Sequence, residues 1–387
     1  MKKIPYGRQC ISPADIQLVT DILNSDWLTQ GPTIEEFETK VAQYCGAKYA
    51  VAVNNATAGL HIACLAAGLG QSDVLWTSPN TFVASANCGL YCGATVNFVD
   101  IDAATYNLST DKLQEKLELA KINGSLPKVL IPVHFAGQSC DMQKISELAS
   151  KYDITVIEDA SHAIGGSYKD NKIGSCTYSD MTIFSFHPVK IITTGEGGMV
   201  LTNRKDLYDK LKLLRSHGIT REQEVMQEAS HGPWYYQQIM LGYNYRITDI
   251  QAALGISQLT RLDEFIARRR ELAHRYNEAL KGLPVVLPRQ HPDCVSAFHL
   301  YVIRLKLGET SKTHRAIFEA LQGKGIGVNL HYIPVHTQPY YQQFGFKWGD
   351  FPEAENYYRE AISIPMYYGL SNEEQDYVIS SIKEAMR

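Results

Sequence analysis

The chain has 387 residues, 45% of them hydrophobic and 20% charged, with a formal net charge of −4 at pH 7. This is room for two structural units sharing an extended core, with ordinary globular composition. The mildly acidic balance offers no general field for nucleic acid or an anionic membrane, so ligand phosphates must be met by local groups. No stretch approaches the apolar length needed to span a bilayer. MKKIPYGRQ has two lysines but no apolar h-region, so no secretion signal is expected. Eight cysteines, at 10, 45, 64, 88, 92, 140, 176 and 294, form no CxxC pair. Buried free thiols in a reducing cytoplasm are expected, with Cys88 and Cys92 spaced to share a helix face.

Residues 1–11, with Pro5 and Tyr6, read as an extended arm. Ser12-Pro13 offers an N-cap and an N1 proline for a helix to about Asn24. SDWLTQGP is turn-like, with Trp27 as a hydrophobic staple, and Pro32-Thr33 start a second helix. From Tyr49, strand-like and helix-like pieces alternate. YAVAV leads through Asn54-Asn55-Ala56-Thr57-Ala58-Gly59 into an apolar helix, LHIACLAAGL. Such a turn gathers free N–H groups at the positive end of a helix dipole: an anion site, or a capped helix with nothing bound. DVLWTSP is a strand, followed by Asn80-Thr81-Phe82 and a helix from about Val83 to Tyr91. ATVNFVDI is a strand with Asp100 and Asp102 as turn formers, and STDKLQEKLELA an amphipathic helix capped at Ser109 or Thr110. VLIPV, a helix near 141–151 and ITVIED continue the alternation. That pattern implies a mostly parallel sheet with helices on both faces and ligands at the strand C-termini.

The chemistry gathers in residues 154–198. The run TVI stops at Glu158-Asp159, and a second strand, MTIFSF, ends at Ser185. Lys190 follows in FSFHPVKIITTGEGG, a segment closed by Gly195, Gly197 and Gly198. An aspartate after one buried strand and a lysine after another can face one ligand at the ends of a sheet. Pyridoxal phosphate needs such a pair: the lysine amine forms the Schiff base, and the carboxylate keeps the pyridine nitrogen protonated. Taken singly, Asp159 is equally a turn or helix-cap residue, and Lys190 a solvated charge. Burial among apolar and small residues would lower the lysine from its usual ~10.4 towards the neutral amine. His162 is a packed core histidine or a site residue. His187, held out of regular helix by Pro188, is structural or positioning.

GGMVLTN is a strand, and DLYDKLKLLRSHG a helix ending near Gly218. Residues 219–240, with HGPWYYQQ, show no periodicity and read as a long irregular segment serving an interface or a site. Arg246 is a structural ion pair or a phosphate contact. One helix is expected from near Thr248 through QLTRLDEFIARRRELAHRYNEAL, its ARRR cluster a solvated face paired with Glu264 and Glu271. Then come a strand HLYVIRL, a helix THRAIFEALQGKG and a short strand GVNL. His331 and His336 lack a third clustered ligand, so no metal is expected. The C-terminal region reads as two helices around a strand SIPM, with Ser371 and Glu374 as a capping box. The domain expectation is a large unit over 1–250 and a smaller α/β unit over 251–387.

EDASHA, SFHPVK, TTGEGG and LGYNYRITDIQAALG resemble the DegT/DnrJ/EryC1/StrS family of nucleotide-sugar aminotransferases, over nearly the whole chain from WLTQGP onward. SFHPVKIITTGEGG looks like the version in the branch acting on a UDP-4-keto-6-deoxy-N-acetylaltrosamine in the pseudaminic acid pathway. The resemblance implies an α/β fold of the fold-type I pyridoxal phosphate-dependent transferases, with an αβα sandwich large domain and a smaller C-terminal α/β domain. It implies a cytoplasmic homodimer with shared active sites, taking L-glutamate as donor and a UDP-linked keto sugar as acceptor, aminated at C4.

By the same resemblance, Lys190 is the catalytic lysine, and Ala56, Thr57 and Ser185 hold the cofactor phosphate. Phe82 stacks on the ring, Asp159 faces its nitrogen, and His162 lies near its phenolic oxygen. Asn244 reaches the cofactor phosphate of the partner subunit. Tyr6 and the segment Asp26, Trp27, Leu28 and Thr29 line the sugar site, with Ala56, Ser185 and Asn244 also contributing. Asn329, Leu330, His331 and Tyr332 lie beside the nucleotide-sugar. The competing readings are an aminotransferase for another keto sugar at C3 or C4 on a dTDP or GDP carrier, a non-catalytic sugar-nucleotide-binding protein, and a lyase or dehydratase. Relatives that dehydrate or merely bind sugars lack the lysine, which this chain has.

Overall fold

Ser12 begins the first helix by a reciprocal bond. In the computed structural model, which describes residues 3–386, its hydroxyl accepts from the Asp15 N–H while the Asp15 carboxylate accepts from the Ser12 N–H. This opens α1 (Pro13–Leu23), and α2 (Pro32–Cys45) follows, leading into β1 (Tyr49–Val53). Next come α3 (Ala56–Ala66), β2 (Val74–Thr77), α4 (Ala84–Tyr91) and β3 (Thr95–Phe98). The alternation continues through α5 (Thr110–Asn123), β4 (Val129–Ile131), α6 (Met142–Lys151) and β5 (Thr155–Asp159). A small antiparallel pair, β6 (Ser167–Tyr168) and β7 (Asn171–Lys172), precedes β8 (Met181–Ser185) and β9 (Gly198–Thr202).

Seven strands form one sheet in the order β1-β9-β8-β5-β4-β2-β3. Strands β8, β5, β4, β2 and β3 run parallel, as the sequence predicts, and β9 lies antiparallel to both its neighbours. Every residue of β8 and β9 is buried, as strands covered on both faces must be. Alternation sends Phe184 and Leu201 into one layer with Phe37, Val41 and Ile256. Ile183 and Val200 go to the opposite layer with Leu60, Leu207 and Leu211. Helices therefore cover both faces, an αβα sandwich.

After α7 (Lys205–Arg215), the segment expected to be irregular carries only the two-residue ladder β10 (Ile219–Thr220) with β11 (Gln237–Gln238). The helix expected to run unbroken from Thr248 is two, α8 (Asp249–Leu259) and α9 (Leu262–Leu280). The Thr260 hydroxyl bonds back to the Ser257 carbonyl at 2.7 Å, closing α8 where the backbone would otherwise continue. Beyond it lie β12 (Val285–Val286), β13 (Cys294–Val295), β14 (Tyr301–Leu305), α10 (His314–Gly323), α11 (Pro339–Gln342), α12 (Pro352–Glu360), β15 (Ala361–Ile364) and α13 (Asn372–Ala385). A three-stranded antiparallel sheet, β12-β14-β15, packs with α9, α10 and α13 around Tyr276, Tyr301, Ile317 and Val378.

Three further expectations need correction. The apolar helix after β1 starts at Ala56, not Leu60, because the Asn55 side chain caps it. GVNL forms no strand: Asn329 makes a single bridge to Ser363. The basic cluster of α9 is not all solvated. Arg268 does pair with Glu271 at 2.7 Å, but Glu264 lies against Arg261. Arg269 sits on the stripe of Leu262, Phe265, Leu272 and Tyr276 and is 2% exposed. Its NH1 group reaches the carbonyls of Phe298, His299 and Met366 at 3.1, 3.2 and 3.0 Å. Burial without a carboxylate pushes its pKa down to about 10.

Arg269→Met keeps the apolar stem and removes the donor to all three carbonyls. A loss of about 2–4 kcal/mol is expected, read as a lower urea midpoint.

Candidate active site

The site lies where strand ends converge. Gly198 pairs with Ser185 of β8 and with Val53 of β1, so the C-terminal ends of these two strands flank one glycine. A Cβ there would stand 2.7 Å from the Ala56 amide nitrogen and from the Asn55 carbonyl carbon. Only a residue without a side chain lets β9 press against the turn into α3. The Asn55 side chain accepts from the Ala58 N–H at 2.8 Å. Ala56 and Thr57, the first two residues of α3, line the cavity, and their amides have no acceptor among the described residues.

The cavity over these strand ends measures about 780 Å³. Asp159 closes β5 and is 6% exposed; its Oδ1 accepts from the Ser161 N–H at 3.1 Å and its Oδ2 from the Ser85 hydroxyl at 2.6 Å. Its neighbour Glu158 points to the opposite face, against His134 Nε2 at 2.5 Å and the Thr182 hydroxyl at 3.1 Å. Lys190 lies in a loop folded back on the end of β8. The Phe186 carbonyl accepts from Thr194 N–H and the Thr193 hydroxyl, while the Phe186 N–H donates to Gly197. Desolvation pushes the Lys190 amine down to about 8, against the opposing pull of the Asp159 carboxylate. Among the described residues it is the only lysine or arginine on the cavity wall.

Histidines occupy the far wall. The His162 ring lies 4.4 Å from that of His299, and its Nε2 is 3.0 Å from the Tyr332 hydroxyl. His331 Nδ1 meets the Ser363 hydroxyl at 2.8 Å. Burial first, and then the Lys190 charge, pushes His331 down to about 4 and His162 well below the usual histidine range. His299 is driven down chiefly by burial. The wall is therefore polar but uncharged at neutral pH, and burial likewise raises the Tyr332 phenol. Tyr6, from the N-terminal arm, bonds Asn329 and packs against His331, the rings tilted by 53° with 5.4 Å between centres.

The structure thus brings Ala56, Thr57, Phe82, Asp159, His162, Ser185 and Lys190 onto one cavity. Tyr6 and the run Asn329, Leu330, His331 and Tyr332 join them there, as does His187. Asp26, Trp27, Leu28, Thr29 and Asn244 do not line this chain's cavity. Thr29 is bridged to Thr248, and Asn244 to Ser216. Arg246 lines a separate hollow beside Glu38 and Arg215. His336 packs against Glu355 at 3.1 Å, away from His331. Sequence reasoning missed His299, which looked like the first polar residue of an ordinary strand, and Ser85, one of several small residues in α4.

The chain matches the DegT/DnrJ/EryC1/StrS aminotransferase family over residues 9–383. It is 41% identical to the spore coat polysaccharide biosynthesis protein SpsC of Bacillus subtilis, over 99% of this chain and 97% of the relative. It is 38% identical to a UDP-4-amino-4,6-dideoxy-N-acetyl-beta-L-altrosamine transaminase of Campylobacter jejuni, over 97% and 95%. Helicobacter pylori PseC, an aminotransferase involved in the biosynthesis of pseudoaminic acid, has a structure similar to this one. The TM-score is 0.89 at 30% identity, covering 100% of this chain and 99% of that one. Spr1654 of Streptococcus pneumoniae, solved in a PLP-form, matches with TM-score 0.89 at 29% identity, over 100% and 99%. A desolvated lysine and a buried carboxylate on one cavity, at the strand ends of this sandwich, are what such enzymes require. The chain belongs to the DegT/DnrJ/EryC1/StrS aminotransferase family and is a pyridoxal phosphate-dependent aminotransferase of fold type I.

Proposed function

We propose that this enzyme moves the amino group of L-glutamate to C4 of a UDP-linked 4-keto-6-deoxy-N-acetylaltrosamine, in pseudaminic acid biosynthesis. The observation that carries the chemistry is Lys190, among the described residues the single lysine or arginine on a cavity that also holds the Asp159 carboxylate. The full-length likeness to the altrosamine transaminase and to PseC supports the choice of sugar.

The residues fit pyridoxal phosphate. Two acceptor-free amides at the positive end of α3, with Ser185 beside them, suit the phosphate. The Asp159 carboxylate suits a protonated ring nitrogen, and an amine lowered to about 8 suits an aldehyde. When bound, the cofactor supplies an electron sink for the negative charge that develops beside the amine. Lys190 Nζ would hold it, and the freed amine would be placed to take a proton from the donor's α-carbon in one half-reaction and to deliver one to C4 of the sugar in the other. Asp159 keeps a proton on the ring nitrogen throughout. Phe82, 6.2 Å from the Tyr332 ring, would cover the cofactor ring, and His162 would lie towards its phenolic oxygen. Tyr6 and Asn329–Tyr332 receive the sugar nucleotide.

We also propose a cytoplasmic homodimer in which Asn244 and the 26–29 segment complete the neighbouring subunit's site. Trp234, Tyr236 and Leu241 are 72%, 51% and 75% exposed in the single chain, an apolar surface that a second copy would cover. The SpsC relative, at 41% identity, favours a second reading with the same chemistry: a different nucleotide-linked keto sugar, at C3 or C4.

Adding L-glutamate to the cofactor-loaded enzyme should bleach its visible band, and the UDP-4-keto sugar should restore it. Restoration only by a dTDP- or GDP-linked ketone would favour the second reading. Lys190→Ala should abolish both the band and turnover.

The rate of cofactor uptake by stripped enzyme should climb with pH and level off near 8, because the neutral amine attacks and the folded protein lowers its pKa to about 8. An ordinary lysine would keep gaining rate to about pH 10. His331, lowered to about 4, adds no step in that range.

Mixing inactive Lys190→Ala and Asn244→Ala proteins under subunit exchange should restore about a quarter of wild-type activity, since each mixed dimer holds one intact site. No recovery, despite proven exchange, would refute the shared site.

A further inference from the structure

The Asp159 carboxylate is fixed by groups behind the cavity wall. Its Oδ2 lies 2.6 Å from Ser85 Oγ, and Ser85 Oγ lies 2.8 Å from Thr81 Oγ1. Ser85, Thr81 and Asp159 are 0%, 2% and 6% exposed, so these bonds are largely shielded from bulk water. An ionised carboxylate accepts only, and a hydroxyl has a single hydrogen. Ser85 therefore gives its hydrogen to Asp159, and Thr81 must give its own to Ser85. The direction of the relay is set: Thr81 to Ser85 to Asp159.

The Ser85 hydroxyl has no local task that would account for it. Helix α4 begins after Val83 with no side-chain cap, so Ser85 is not its capping residue. Its hydroxyl bonds no carbonyl of the preceding turn; its partners are Thr81 and Asp159. Nor does it line the cavity, although Thr81, Ala84 and Asp159 do. With Oδ1 taken by the Ser161 N–H at 3.1 Å, both oxygens are tethered and the carboxylate cannot rotate. Asp159 itself lines the cavity.

We infer that Ser85, backed by Thr81, is a positioning residue that locks the Asp159 carboxylate in the orientation that receives the protonated ring nitrogen of the cofactor. The inference rests on the proposed role of Asp159. A carboxylate free to turn would hold that proton less well, and the ring nitrogen would spend more time neutral. A positive ring nitrogen opposes protonation at the lysine end of the ring, so weakening it raises the pH at which the visible band changes.

The test compares wild type with Ser85→Ala, Ser85→Thr, Thr81→Val and Asp159→Ala, each loaded with pyridoxal phosphate. The readouts are the dissociation constant for the cofactor, the pH midpoint of the visible band, and the urea midpoint. Ser85→Ala should weaken cofactor binding about tenfold, the scale of one lost bond to a charged group, and move the band midpoint upward. Ser85→Thr, which keeps the hydroxyl, should restore both, and Thr81→Val should shift both by less and in the same direction. A Ser85→Ala protein with an unmoved band midpoint, whether or not its urea midpoint falls, overturns the inference when Asp159→Ala does shift the band. An Asp159→Ala protein with an unmoved band overturns the role of Asp159 itself, and the inference with it.

Discussion

Three strands and a helix turn can share one corner of this sheet because the residue at their meeting point, Gly198, has no side chain. Its backbone joins the end of β8 to the end of β1, and a methyl group there would collide with the Ala56 amide at 2.7 Å. The anion-binding turn and the lysine loop are thereby placed by one antiparallel strand, not by separate devices. The antiparallel sense of β9 matters for the same reason. A strand entering from the C-terminal edge begins where its neighbours end, so the loop that carries Lys190 stays at the ligand side of the sheet and does not cross to the other.

Burial then decides the electrostatics of the cavity. A lysine and an aspartate taken out of water attract each other, yet desolvation outweighs that attraction for Lys190 and leaves it near 8. The surroundings amplify this choice. His162, His299 and His331 are each held neutral, first by burial and then by the lysine charge and one another. The wall can thus orient polar sugar and phosphate groups without adding a field that would stabilise or screen the reacting charges. Among the described residues no arginine lines the cavity.

The sequence revealed the parts whose chemistry is local. Strand alternation made β5 and β8 visible, and their abrupt ends at Asp159 and Ser185 marked the ligand side of the sheet. Capping chemistry made Ser371 with Glu374 visible as a helix start. What escaped depends on contacts far apart in the chain. Arg269 reads as one of three adjacent basic residues, and only its place on the Leu262–Tyr276 stripe shows that it must go inside. Ser85 acquires meaning from Asp159, a residue it meets at 2.6 Å across two strands' worth of fold. His299 lies just before β14, and nothing beside it in the sequence announces His162 as its partner.

His299 is held in place from behind by a buried arginine. Arg269 projects from α9 and bonds the carbonyls of Phe298, His299 and Met366. The backbone it grips carries His299 directly to His162, 4.4 Å away between ring centres, three residues beyond Asp159. A charge buried without a counter-ion is costly to place. Here it satisfies carbonyls at a junction that has to bend sharply, where Phe298 adopts a φ of 45°. The cost is met because one guanidinium does what several backbone partners would otherwise have to do. The outcome is a cavity wall on which His162, from the end of the parallel sheet, meets His299, Asn329, His331 and Tyr332 from later in the chain, with Arg269 holding the backbone behind His299.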